Sequence, residues 1–319
     1  MRRRVQGFTL LELLVAVTLT LGMAAVMLSV TTSTLNVWRR TQDRFSTSAQ
    51  AKLALDFLER DLHAGVFRAD STTTWLAVDI INESSSLATR GWQIGSVMKP
   101  STAESLNPLP TRDDGRNATV SDARFGVSGA WLRFVSAVAD SGNDGALPRA
   151  VAYHMARRPQ TGSISVTNPA EIRYALYRAA VSSSTSFTNG NDVTVGYGTA
   201  LSVPNVGDVI LSNTVDFGVW LYVRAVDGSL RRIFPADTGD LSHVARDPGG
   251  AADANRYPDV ADVMIRVLSE EGARQIAAIE QGTVARPSNY TTDAAWWWAV
   301  VETNSTVYVR RIEVKGGGR

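Results

Sequence analysis

The sequence predicts an α+β chain: a long N-terminal helix, its first half able to cross a membrane, packed against a β-rich head of antiparallel strands. Three observations predict it. From Phe8 to Val30 the residues are apolar, small or hydroxylated, with a single charge at Glu12. From Thr31 to Leu62 there is no glycine or proline to break a helix. Beyond Gly65 the apolar period changes from that of a helix to alternation, in runs rich in Val, Ile, Tyr, Phe and Trp. The expected divisions are a short basic N-terminal segment (1–7), the helix (8–64, with 8–30 in the membrane) and the head (65–319).

The first segment is long enough for a span. At 1.5 Å per residue, Phe8–Val30 makes roughly 35 Å of helix against a hydrocarbon core of ~30 Å. Arg2, Arg3 and Arg4 precede it, and a basic flank holds that end in the cytoplasm. A cleaved signal peptide would have a shorter apolar run closed by small residues and polar sequence. Here Ala24-Ala25 is followed by Val26-Met27-Leu28, still inside the run. A simple signal anchor is the plainer alternative. Glu12 argues against it, because a carboxylate in a membrane helix is costly and is functional by default.

In the second half of the helix, Leu35, Trp38, Phe45, Ala49, Leu53 and Phe57 recur at spacings that share one face. That face is expected to pack on the head. His63-Ala64-Gly65 is a plausible stop. Strands are expected over Thr74–Ile81, Ala130–Val138, Arg149–Ala156, Glu171–Val181 and Thr214–Val226. Asp227-Gly228 turns the last of these into Ser229–Phe234. Val260–Leu268 alternates Val263, Ile265 and Val267 against Asp262, Met264 and Arg266. A short helix follows, capped by Ser269, favoured by Glu270 and Glu271 at its positive end, and closed by Gly282. Two final strands, Trp296–Glu302 and Thr306–Val314, are expected to be joined across Thr303-Asn304-Ser305. Lys99–Gly126, Ser182–Asn205 and Ala236–Tyr257 read as long polar loops, and Gly316–Arg319 as a frayed tail.

The 319 residues are 44% hydrophobic and 20% charged, with net charge +1. Such balance predicts no nucleic-acid footprint, and the arginine pairs Arg39-Arg40, Arg157-Arg158, Arg231-Arg232 and Arg310-Arg311 are scattered. There is no cysteine. His63, His154 and His243 lie far apart, and no zinc, nucleophile-elbow or phosphate-loop pattern joins them. Asp140–Gly145 is similar to a calcium loop, but Gly142 stands at the third ligand position and Val151 at the closing one, so a turn is expected. Trp296-Trp297-Trp298 is expected on a strand, with at least one ring in the core and another on the outer face. No catalytic residue, cofactor or metal is expected.

The string Gly7-Phe8-Thr9-Leu10-Leu11-Glu12, behind its basic leader, resembles the type IV prepilin cleavage and methylation motif. The resemblance implies that prepilin peptidase cuts between Gly7 and Phe8 on the cytoplasmic side and methylates Phe8. It implies that Glu12 acts in assembly, pairing with the Phe8 amine of a neighbouring pilin or pseudopilin subunit. It further implies a single-pass inner-membrane protein with a periplasmic head, assembled into a type IV pilus-like or type II secretion-like filament as a minor pilin or pseudopilin. Two departures stand out. Many pilins close a C-terminal loop with a disulfide, which a chain without cysteine cannot do, and no proline occurs before Pro100. Tyr257–Val267 looks like a late strand region of PilW-like and GspJ-like minor subunits. Trp38–Arg44, Leu268–Arg274 and Val309–Val314 resemble the Verru_Chthon cassette protein C family. The alternative class is a membrane-anchored periplasmic enzyme or ligand-binding protein.

Overall fold

The computed structural model describes residues 9–68, 72–81, 99, 119–138, 147–159, 172–195, 197–198, 200–203, 205–236, 241–246 and 255–314. Gly7, Phe8, the Asp140–Gly145 turn, the Gly316–Arg319 tail and most of the expected Lys99–Gly126 loop lie outside the described residues. The chain divides into two compact units, 1–48 and 49–319. Helix α1, Leu10–His63, is continuous. Its residues through Ser48 belong to the first unit and its last four turns to the second.

The second unit is a two-sheet head. Strands β1 (Leu76–Ile80), β2 (Ala130–Ser136), β3 (Arg149–Pro159), β4 (Ile172–Ala180), β5 (Val209–Ser212) and β8 (Ser242–Ala245) form a six-stranded sheet in the order β5-β4-β3-β2-β1-β8. Strands β6 (Thr214–Arg224), β7 (Leu230–Phe234), β9 (Val260–Leu268) and β10 (Ser305–Glu313) form a second sheet in the order β10-β9-β6-β7. Every pairing is antiparallel. The β6–β7 hairpin turns at Asp227-Gly228, where Gly228 takes φ 82 and Asp227 accepts from the Ser229 N–H and hydroxyl. Val215, Phe217, Val219, Leu221 and Val223 alternate inward along β6 and share one core with Leu132, Phe134, Val151 and Leu176 of the first sheet.

Within the head, the buried face of α1 differs from the expected stripe. Ala51, Ala54, Leu55, Leu58, Asp61 and Leu62 are buried, whereas Leu53 is 54% exposed. Both sets recur at helical spacing, and periodicity cannot tell which of two apolar faces a head will cover. The covered face is the one with small Ala51 and Ala54, which admit close approach, and with an aspartate that meets partners. After His63 the chain runs beside β2. Val66 N–H donates to the Val135 carbonyl and Ala137 N–H to the Ala64 carbonyl, each at 2.9 Å.

The C-terminal region needs one correction. Trp296–Glu302 is not a strand but lies within a helix, Asp293–Asn304. Three tryptophans favour a strand by propensity alone, but Thr292 accepts from the Ala295 N–H as an N-cap, Asp293 sits in the first turn, and three alanines carry the helix. All three rings are buried, at 7%, 0% and 3% exposure, so none lies on an outer face. With Ser183–Thr188 as α2 and Glu270–Glu280 as α3, this helix is α4. Ser269 caps α3 as expected, accepting from the Gly272 N–H. The Ser182–Asn205 segment, expected as loop, begins with α2, capped by Ser182.

Candidate functional site

The site with the most specific sequence pattern is the start of α1. The Glu12 N–H donates to the Thr9 hydroxyl at 3.3 Å, and Glu12 Oε2 accepts the Thr9 N–H at 2.9 Å and the Thr9 hydroxyl at 3.0 Å. This is a reciprocal capping box, which satisfies donors that the first helical turn leaves open. Glu12 therefore has a partner within its own chain. The arrangement also holds the carboxylate at the helix mouth, four residues from the Gly7–Phe8 bond that lies outside the described residues.

Beyond it, Leu10–Leu35 is long and apolar enough to cross a membrane, and none of it is buried within the chain. Leu13, Leu14, Val17 and Leu21 are all more than a third exposed. Thr18, Thr20, Thr31, Thr32 and Thr34 return their hydroxyls to carbonyls three or four residues back. Their polar atoms are thus satisfied inside the helix, as an apolar surround requires.

Several buried ionisable groups among the described residues of the head are used in the architecture. The Glu280 carboxylate of α3 is buried, and it accepts from Arg157 Nε at 2.6 Å, the Tyr174 hydroxyl at 2.5 Å and Trp297 Nε1 at 3.1 Å. It thereby joins β3, β4, α3 and α4, and burial beside that charge pushes the Tyr174 hydroxyl well above its usual range. The cavity lined by Arg157, Tyr174 and Glu280 is about 10 Å³, room for one water at most. Lys99 donates to Asp216 at 3.1 Å in a buried pair, and burial lowers the lysine. Trp298 lies under the Arg124 guanidinium at 4.4 Å. The tryptophan triplet is thus core and contact, with no ring free to stack on a ligand.

The three histidines are separate. His63 is exposed at the end of α1. His243 bonds the Arg256 carbonyl at 2.9 Å, and burial lowers it. His154 is wholly buried on β3 between Trp131 and Tyr177, and burial together with Arg158 and Arg133 brings its pKa down to about 3. Among the described residues no three His, Asp or Glu side chains gather as a metal site.

A family model described as the prokaryotic N-terminal methylation motif matches residues 2–28. The match supports a type IV prepilin-like protein, which in general terms implies processing by prepilin peptidase and assembly with other pilins. No curated protein and no solved structure matches the chain.

Proposed function

We propose that the chain is a minor pilin or pseudopilin, a structural subunit of a type IV pilus-like or type II secretion-like filament and not an enzyme. Prepilin peptidase cuts it between Gly7 and Phe8, its N-terminus faces the cytoplasm, and its head is periplasmic. Among minor subunits the reading favours the PilW-like and GspJ-like kind, whose late strand region resembles what is here β9. The observation that carries the proposal is the methylation-motif match over residues 2–28, in register with an unburied apolar helix.

Two further features support it. Glu12 is placed at the helix mouth by its bonds to Thr9, so a neighbour's Phe8 amine can take it in exchange for a cap worth about 1 kcal/mol. Leu53 is open on the side of α1 opposite the core-facing Leu58, available to another subunit's helix.

Crosslinking of the Glu12→Leu chain to its neighbours tests the proposal. The variant still inserts and is still cut, because Gly7 is untouched. Its amine loses its partner in an apolar bundle, where breaking a buried pair costs about 3–5 kcal/mol, so crosslinked yield collapses. Wild-type yield from cut Glu12→Leu protein would sink the assembly role.

A further inference from the structure

We propose that the outer edge of β10 is a self-association site, which pairs antiparallel with β10 of a second copy in a two-fold register centred on Val309. The inference rests on the strand edge alone; only the form of the protein in which the pair exists rests on the filament reading.

β10 is an edge strand among the described residues. It runs nine residues against β9 without a bulge, from Ser305↔Leu268 to Glu313↔Val260. Which backbone groups face outward follows from the bonds at its two ends. The Val314 N–H donates to the Asp259 carbonyl, and the Ser269 N–H to the Asn304 carbonyl. Antiparallel bonding alternates, so even-numbered residues bond β9. The N–H and C=O groups of Ser305, Val307, Val309, Arg311 and Glu313 point away from it.

Exposed edges are normally guarded by charges, prolines, bulges or a covering element. Here there is no proline or bulge, and the charges are turned back onto their own chain. Arg310 binds Asp56 and Glu59 of α1, Arg311 takes Asp262 in two bonds of 2.7 Å, and Glu313 takes Arg224 in two bonds of 2.6 Å. Val309, at the centre of the strand, is left 47% exposed.

Charge complementarity selects a second copy and one register. Centred on Val309, the full strands overlap: Val309 meets Val309, Val307 meets Arg311, Ser305 meets Glu313 and Tyr308 meets Arg310. No like charges stand opposite, and every outward group finds an outward partner. Shifting the centre to Arg310 or Arg311 sets arginine against arginine, which destabilises a ladder. Shifting it to Tyr308 sets Glu313 against Thr303, inside α4. At the opposite edge of the same sheet among the described residues, β7 is five residues long and carries Arg231 and Arg232, which would face the arginines of β10. A polar filament relates its copies by a screw axis rather than a two-fold axis, so the pair belongs to the membrane-held form.

The chain has no cysteine, so Val309→Cys gives it a single thiol. In the proposed register the two Val309 Cα atoms lie about 5.5 Å apart, within reach of a disulfide. Mild oxidation of membranes containing full-length Val309→Cys should give a disulfide-linked dimer. Thr306→Cys should not, because it faces Ile312 and lies six residues, about 20 Å, from its own counterpart. A mixture of Val307→Cys and Arg311→Cys chains should give the mixed dimer and little of either self-dimer. That mixture also stands in if Val309→Cys lowers expression. A monomeric Val309→Cys chain with no mixed dimer, or a Thr306→Cys dimer of equal yield, would overturn the proposal.

Discussion

Tyr153 donates a 2.6 Å hydrogen bond to the fully buried carboxylate of Asp61, on the last turn of α1. Arg178 Nε donates to the same oxygen at 2.6 Å, and the Ser136 hydroxyl donates to the Asp61 carbonyl at 2.9 Å. One residue of the helix is thereby fastened to β2, β3 and β4. Replacing it removes the counter-charge of a part-buried guanidinium. Asp61→Asn should therefore cost about 3–5 kcal/mol, whereas Tyr153→Phe, which removes one bond, should cost about 1–2 kcal/mol. Denaturant unfolding of the detergent-solubilised chain measures both. Equal losses would show that the Arg178 ion pair adds nothing beyond the tyrosine bond.

The two faces of α1 separate folding from assembly. Leu58 is fully buried, and Leu58→Ala should lower stability by about 2–5 kcal/mol. Leu53 is 54% exposed, and Leu53→Ser should leave stability within about 0.5 kcal/mol. The same substitution should reduce recovery of the chain with its neighbour subunits. Full recovery would remove that face from the subunit contact.

The head as a β-rich unit behind a long helix was readable because alternation over β1–β4, β6, β7 and β9 is strong and turn residues punctuate it. The Ser269 cap and the Asp227-Gly228 turn were readable for the same local reasons. The face of α1 was not, since two apolar stripes share one helix and only the partner sheet decides between them. Trp296–Trp298 misled because aromatic propensity points to a strand, while the cap at Thr292 that sets the helix is a single side chain. Asp61, Glu280 and Asp216 gave no signal. A carboxylate that organises a core reads in sequence like any surface charge, and its partners lie 17 to more than 100 residues away. The Glu12 position was readable from the motif, but its bonds to Thr9 were not anticipated.

Close packing makes a sharp prediction at Gly218. A Cβ there would lie 1.9 Å from the Phe125 ring, which is itself fully buried. Gly218→Ala must displace the ring or the strand, and should cost about 1–3 kcal/mol by thermal or denaturant unfolding. An unchanged midpoint would mean that Phe125 does not cover β6.

His154 predicts an acid sensitivity. Its pKa of about 3 in the folded chain lies below the ordinary 6.5, because burial and the Arg158 and Arg133 charges disfavour the imidazolium, with Tyr177 stacked beside it. A depressed histidine gives stability that is full above about 6.5 and lost as the pH falls toward about 3. Between those limits the wild type should lose up to about 1.4 kcal/mol per pH unit relative to His154→Gln. A pH-independent difference between the two chains would contradict the assignment.

Mass spectrometry of the native N-terminus decides whether the N-terminal stretch is a processed prepilin leader. Isolated from cells that carry the peptidase, the chain should begin at Phe8 with one added methyl group, and a bulky replacement of Gly7 should leave the full leader in place. A native chain that retains an intact Gly7–Phe8 bond, or a Gly7 variant that matures normally, would contradict it.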